Sequence, residues 1–148
     1  MPTDPTFLKE FSCFRDIPEE RLMDVAQIAN AVCYLPGHIL FKEGDPGTCL
    51  YYLVKGKVDV FYNIGEEGEV RVDTISGEEI AGCSILVEPH TYTATERCFT
   101  EVEVLEIDIQ ALREIMQKDC KFGMTILQNV INVLMERILD LRLGFVSS

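Results

Sequence analysis

The sequence predicts a mainly β fold: an antiparallel β-roll, or double-stranded jelly roll, with N-terminal helices and a long C-terminal helix. Three observations lead there. Apolar residues recur at helical spacing up to about residue 31, the period shortens to that of strands from Val32, and it becomes helical again near Asp108. Between those changes, short β-rich runs are divided by glycine and proline turns at regular intervals, the pattern of a sandwich or roll. The 148 residues fit one domain, 1–148, with N-terminal helices over 1–31, the roll over 32–107 and C-terminal helices over 108–145. A chain of this length buries roughly 68–70% of its unfolded surface on folding.

The elements follow in order. Phe7, Leu8, Phe11 and Phe14 form an apolar stripe that reads as a short helix packed on the core. Pro18 suits a first helical turn, Glu19 and Glu20 favour its positive end, and Leu22, Val25, Ile28 and Ala29 recur at helical spacing. Strands are then expected at Val32–Leu35, His38–Phe41, Cys49–Val54, Val58–Tyr62, Val70–Ile75, Tyr92–Cys98 and Val102–Ile107. Turns separate them at Pro36-Gly37, Glu43–Gly47, Lys55-Gly56, the polar loop Asn63–Gly68, and Gly77.

Asp108 is placed to cap a helix through Ile109, Leu112, Ile115 and Met116. A longer helix runs from about Phe122 to Leu143. Within it Leu127, Ile131, Leu134, Ile138, Leu141 and Phe145 follow the four-three alternation of a coiled-coil seam. Ile126, Val130, Val133 and Leu139 widen the apolar face beyond what one small roll buries. A homodimer through Leu127, Ile131, Leu134, Ile138 and Leu141 is therefore expected, with a purely intramolecular packing helix as the alternative.

Composition excludes several classes of function. With a net charge of −12 and no dense Lys/Arg cluster, the chain repels the phosphates a duplex-binding module must neutralise. The last residues, Leu141 to Ser148, leave no room for a helix-turn-helix, so no direct nucleic-acid binding is expected. No apolar run approaches the ~20 residues that span a bilayer, and Met1-Pro2-Thr3-Asp4 lacks the basic start of a signal peptide. A cytoplasmic protein with no membrane partner is expected.

The six cysteines (Cys13, Cys33, Cys49, Cys83, Cys98 and Cys120) form no C-x-x-C pair and read mostly as small buried apolar residues. His38 and His90 alone do not make a metal cluster, and no haem-attachment or nucleophile-elbow motif surrounds His90, Cys83 or Ser84. A non-enzyme without a metal is expected.

The stretch Gly77-Glu78-Glu79-Ile80-Ala81-Gly82-Cys83-Ser84-Ile85-Leu86, continued by Val87 to Thr95, resembles the phosphate-binding cassette of cyclic-nucleotide-binding domains. Leu40 to Asp45 and Leu50 to Val58 resemble the first half of that roll, and Val104 to Asp108 its end. The resemblance covers about Phe7 to Leu143 and is to the sensor half of catabolite-activator-type regulators. It implies a short helix at Cys83–Leu86 whose backbone N–H groups face a cyclic phosphate, with Gly82 allowing close approach. It also implies a C-terminal helix that closes over the cassette and joins a dimer.

Two residues depart from the pattern. Cys83 stands where the resemblance places a ribose-binding glutamate, and Tyr92 where it places a phosphate-binding arginine. Losing a bidentate arginine removes about ten- to a hundredfold in affinity for the anion. Between Val72 and Glu96 there is no Lys or Arg, whereas Asp73, Glu78, Glu79, Glu88 and Glu96 are acidic. A compensating cation such as Arg71 or Arg97 could come only by folding, and strand alternation gives no reason to expect it. The candidate ligand-binding set is Gly82, Cys83, Ser84, Ile85, Tyr92, Thr93 and Thr95. Tyr92 and Cys83, with Thr93 and Thr95, suit a neutral or planar ligand.

No cofactor follows from the residues themselves; a cyclic nucleotide or another small ligand is what the resemblance implies. The expected function is a stand-alone regulatory or signalling module acting by ligand or partner binding. The alternatives are a constitutive protein-interaction or dimerisation scaffold, and a sensor of a cyclic nucleotide or other small ligand through an altered pocket.

Overall fold

The computed structural model describes residues 4–147. Three helical pieces come first: α1 (Pro5–Leu8), a 3-10 turn over Ser12–Phe14, and α2 (Glu19–Gln27). Eight strands follow among the described residues: β1 (Ala29–Tyr34), β2 (Ile39–Phe41), β3 (Cys49–Lys55), β4 (Lys57–Asn63), β5 (Glu69–Ser76), β6 (Glu79–Ala81), β7 (Thr95–Cys98) and β8 (Val102–Asp108). Two helices, α3 (Ile109–Lys118) and α4 (Cys120–Ser147), end the chain's described part.

The strands make two four-stranded antiparallel sheets, ordered β1-β8-β3-β6 and β2-β7-β4-β5. β8 lies between β1 and β3, with Ala29 opposite Ile107 and Leu50 opposite the same residue on its other side. Leu50, Tyr52, Leu105 and Ile107 on one face and Val104 on the other are all buried, the result for strands covered on both faces. β4 pairs with β5 and β7, so the second sheet carries its central strand between the outer hairpin and the cassette-exit strand. This is the expected roll.

The segment around the N-terminal 3-10 turn closes one end of it. Phe11 and Phe14 pack on Tyr52, with ring centroids 4.9 and 5.3 Å away. Asn129 on α4 is buried and donates to the carbonyls of Cys13 (2.9 Å) and Arg15 (2.8 Å), which ties the long helix to that end. Asp108 caps α3 as expected, accepting from the Ala111 N–H at 3.0 Å. Gly123 lets α4 cross closely over α3; a Cβ there would lie 3.1 Å from the Met116 carbonyl oxygen.

Some bounds differ from the sequence reading. α2 stops at Gln27 and β1 begins at Ala29, ahead of Val32, because Ala29 is held opposite Ile107. β6 adds a short strand, paired to β3 through Tyr51↔Ala81, in what reads locally as the approach to a helix. The expected strand at Tyr92 starts only at Thr95. Tyr92 instead pairs with the turn after β2: its N–H donates to the Asp45 carbonyl (3.0 Å) and its carbonyl accepts from Gly44 (2.8 Å).

On α4, Ile126 and Val130 are buried and Val133 and Leu134 pack partly against the roll, while Leu127, Ile131, Ile138 and Leu141 are exposed. Among the described residues, no helix is long and apolar enough to cross a membrane.

Candidate functional site

A cavity of about 230 Å³ lies where the cassette, β4, β5, β7 and α4 converge. Apolar Phe41, Val60, Ile75 and Leu134 line it together with polar Asp73, Glu96 and Arg137, and Val60 is the cross-strand partner of both Asp73 and Glu96. Gly82, Cys83, Ser84 and Thr93 complete it. Four of the seven candidate ligand residues therefore share one wall. The remaining three do not line this cavity.

Gly82 takes φ +79° and precedes the 3-10 turn Cys83–Leu86, a conformation that favours glycine. A Cβ at this position would sit 2.9 Å from the Tyr92 ring, so the chain passes directly over the tyrosine. Ser84 Oγ donates to the Thr91 carbonyl at 2.9 Å, bracing the two ends of the cassette. Burial pushes the Cys83 thiol above its ordinary range, with Arg137 acting in the opposite sense, so it is a neutral wall residue at pH 7.

Ile85 is fully buried beneath the cassette. Its carbonyl accepts from Arg113 Nη2 of α3 at 2.6 Å, and the same nitrogen lies 2.9 Å from His90 Nδ1. Thr95 Oγ1 accepts from the Glu43 N–H at 2.9 Å and serves the β2 end of the roll. Tyr92 is only 2% exposed. Its ring stacks on Phe41 with centroids 4.0 Å apart and planes 12° apart. Its hydroxyl donates to the Cys49 carbonyl (2.7 Å) and accepts from the N–H groups of Cys49 (3.1 Å) and Thr48 (3.2 Å). Tyr92 is thus a packed wedge behind the cavity, held by its own partners.

Neither Arg71 nor Arg97 reaches the cavity. Arg71 lies 3.9 Å from Asp59, and Arg97 pairs with Glu69 at 2.7 Å while covering the Phe61 ring at 4.7 Å. Arg137 of α4 arrives instead. Its Nη2 donates to the Ile80 carbonyl of β6 and lies 3.3 Å from Glu79 Oε2. Nothing local in the sequence marks this role. The available signal is that Arg137 follows Leu134 at a spacing of three, which puts both on one helix face. Leu134, counted in the dimer seam by its heptad position, accordingly faces the cavity.

Glu96 is the other unforeseen wall residue. It is 6% exposed, and burial, aided by Asp73 and Glu79 and opposed by Arg137, pushes its carboxyl up to about 7. Glu79 is raised as well, mainly by burial with Arg137 opposing. Glu96 Oε1 and Arg137 Nε are buried without a hydrogen-bond partner among the described residues. A buried polar atom left in that state costs about 1–3 kcal/mol. No group of His, Cys, Asp and Glu suited to a metal occurs among the described residues.

A second hollow lies outside the cassette, between Leu86, Met116, Met124, Leu127 and Ile131. It is open and largely apolar, about 700 Å³, and runs along the exposed side of α4.

Comparison with known proteins agrees with this architecture. A Mycobacterium tuberculosis protein described as a CRP-like cAMP-activated global transcriptional regulator is 25% identical over 100 residues, covering 68% of this chain and 45% of the regulator. The chain therefore spans about half the length of that relative. A solved Geobacter metallireducens GS-15 protein, described as cyclic nucleotide-binding, superposes with a TM-score of 0.83 at 27% identity, covering 91% of this chain and 98% of that one. The N-terminal domain of a transcriptional regulator from Streptomyces coelicolor A3(2) superposes at 0.70 and 25% identity, covering 93% and 95%. The family model for the cyclic nucleotide-binding domain matches residues 31–119, from β1 to the end of α3. This chain belongs to the cyclic nucleotide-binding domain family.

Proposed function

We propose that this chain is a regulatory sensor domain that acts by binding, without catalysis. It takes a small ligand in the cavity under α4 and passes occupancy to that helix. The observation that carries this reading is Arg137. One side chain belongs both to the cavity wall and to α4, and it holds α4 to the strand that opens the cassette. A ligand that competes for Arg137, or reinforces its place, changes the balance between docked and undocked α4.

The exposed residues Leu127, Ile131, Ile138 and Leu141 then make α4 the surface of a homodimer, with the neighbouring apolar groove as its extension. Leu134 belongs to the ligand side of the same helix. The Mycobacterium relative is named for activation by cAMP. For this chain we expect weak binding of cAMP and cGMP, because the wall offers the anion two carboxyl groups, Asp73 and Glu96, and a single guanidinium that Glu79 already pairs.

A constitutive scaffold is the competing reading, and one observation favours it: Tyr92 fills and locks the space behind the cassette. A thermal-shift panel of cyclic nucleotides, nucleosides and haem separates the two. A ligand present at a hundred times its dissociation constant adds about 2.7 kcal/mol. A stabilising compound at micromolar concentration supports the sensor, and uniform silence supports the scaffold.

A further inference from the structure

Glu96 and Arg137 stand in one wall of one cavity, and each carries a buried polar atom that no described residue satisfies. Unsatisfied buried polar atoms are uncommon in folded proteins and call for a partner. Here the two are chemically opposite: the guanidinium Nε–H requires an acceptor, and the carboxylate oxygen requires a donor. The same lining carries two aromatic rings, Phe41 and Tyr62, and the apolar Val60 and Ile75, with Val60 directly beside Glu96 in the sheet.

Charge narrows the choice further. Glu96 on β7 is faced by Arg137 from α4, by Asp73 from β5, by Glu79 from β6 and by the Cys83 thiol from the 3-10 turn. Arg137 already serves Glu79 and the Ile80 carbonyl. With Asp73, Glu79 and Glu96 around one guanidinium, such a wall disfavours a phosphodiester but suits an uncharged molecule with a polar edge.

We propose that the cavity is selective for a small, neutral, planar molecule with an adjacent hydrogen-bond donor and acceptor, a lactam or carboxamide edge, its donor on Glu96 and its acceptor on Arg137. This rests on the sensor reading above and supplies its ligand class. The volume of about 230 Å³ lies below the usual range for drug-sized ligands and fits one ring system rather than an extended molecule. Specificity follows from the polar pair, because a molecule lacking either partner leaves a buried group unpaired.

Glu96 accepts from the ligand's donor more strongly as carboxylate than as acid. Since that carboxyl titrates at about 7, binding releases a proton below that pH and tightens as the pH rises from about 6 to about 8.

Isothermal calorimetry on the full chain tests the proposal with uracil and nicotinamide as neutral probes and cAMP as the anionic one. The expected result is that a neutral probe binds at least about tenfold more tightly than cAMP. Its affinity falls about tenfold or more in Glu96→Gln, which cannot offer a carboxylate, and in Arg137→Gln. Glu96→Leu, which removes the buried charge and leaves Arg137 in place, provides a folded control for the first variant, verified by its thermal melt.

Binding by cAMP with both neutral probes silent overturns the proposal and leaves the sensor reading standing. So does neutral-probe binding that is indifferent to both substitutions. Silence of all three probes to about millimolar concentration overturns the proposal together with the sensor reading, in favour of the scaffold.

Discussion

Arg137 on α4 lies 3.3 Å from Glu79 on β6, across a gap in sequence that no local pattern spans. This contact, with the Arg137 donation to the Ile80 carbonyl, makes the C-terminal helix part of the cassette's own structure. Both carboxyl-bearing strands behind it, β6 and β7, would otherwise present Glu79 and Glu96 to each other without a cation. The helix that exposes an apolar stripe on one side therefore lines the cassette cavity with the other.

Arg137→Gln should destabilise the fold by about 1–2 kcal/mol. The ion pair with Glu79 is partly exposed and contributes little; most of the loss comes from the hydrogen bond to Ile80 and from the carboxyl groups left facing each other. Urea unfolding measures it directly. A loss below about 0.3 kcal/mol would mean that α4 is held by its apolar contacts alone.

Glu96 gives stability a distinctive pH dependence. Its folded-state value of about 7 lies above the ordinary 4.5, so the folded protein holds this proton where the unfolded chain has released it. The folded state is therefore favoured below about 4.5, and the advantage is lost as pH rises through about 7. The total change from this group is on the order of 3 kcal/mol. Glu96→Gln removes the dependence, so its stability relative to wild type should increase between about pH 5 and about pH 8, measured by denaturant unfolding at each. A constant difference across that range would place the carboxyl in contact with water.

Tyr92→Phe should cost about 1–3 kcal/mol, because removing the hydroxyl strips the Cys49 carbonyl and the Cys49 and Thr48 N–H groups of a buried partner. Tyr92→Arg should cost more and should not create tight cAMP binding. A guanidinium at that place enters the Phe41 stack behind the cassette, not the cavity. Melting temperatures for both variants and a cAMP titration of the second check this. A stable Tyr92→Arg protein that binds cAMP would show that the tyrosine's place opens readily to the ligand.

For assembly, the two seam residues to change are Ile131 and Ile138, since both are exposed and Leu134 faces the roll. Ile131→Glu with Ile138→Glu should give a folded monomer by light scattering, at a stability within about 1 kcal/mol of the wild-type protomer. An unchanged mass would remove these residues from the interface.

The roll was legible because its signals are local and repeated. Runs such as Cys49–Lys55 and Val102–Asp108 are long enough to show their period, and turn residues bound them. The Asp108 cap was legible for the same reason. β6 was not, since three residues carry no period and its identity depends on pairing with Tyr51 and Tyr52 in β3. The site was legible in outline, through Gly82, Cys83, Ser84 and Thr93. Its decisive groups were not: the side-chain direction of Tyr92 is set by Phe41 and by the backbone at Thr48 and Cys49. Arg137 acquires its role only when α4 folds back over Ile80. Glu96 reads as one more acidic residue until burial against Asp73 and Glu79 raises it.

The proposed sensor couples cavity occupancy to the docking of α4 through Arg137. Hydrogen exchange across α4, measured with and without the compound giving the largest thermal shift, tests it most directly. The account predicts that ligand changes amide protection in the α4 segment around Leu134 to Leu141 as well as in the cassette, and that Arg137→Gln removes the α4 effect while the cassette effect persists. Protection that changes in the cassette alone in the wild-type protein, leaving α4 untouched, would contradict it.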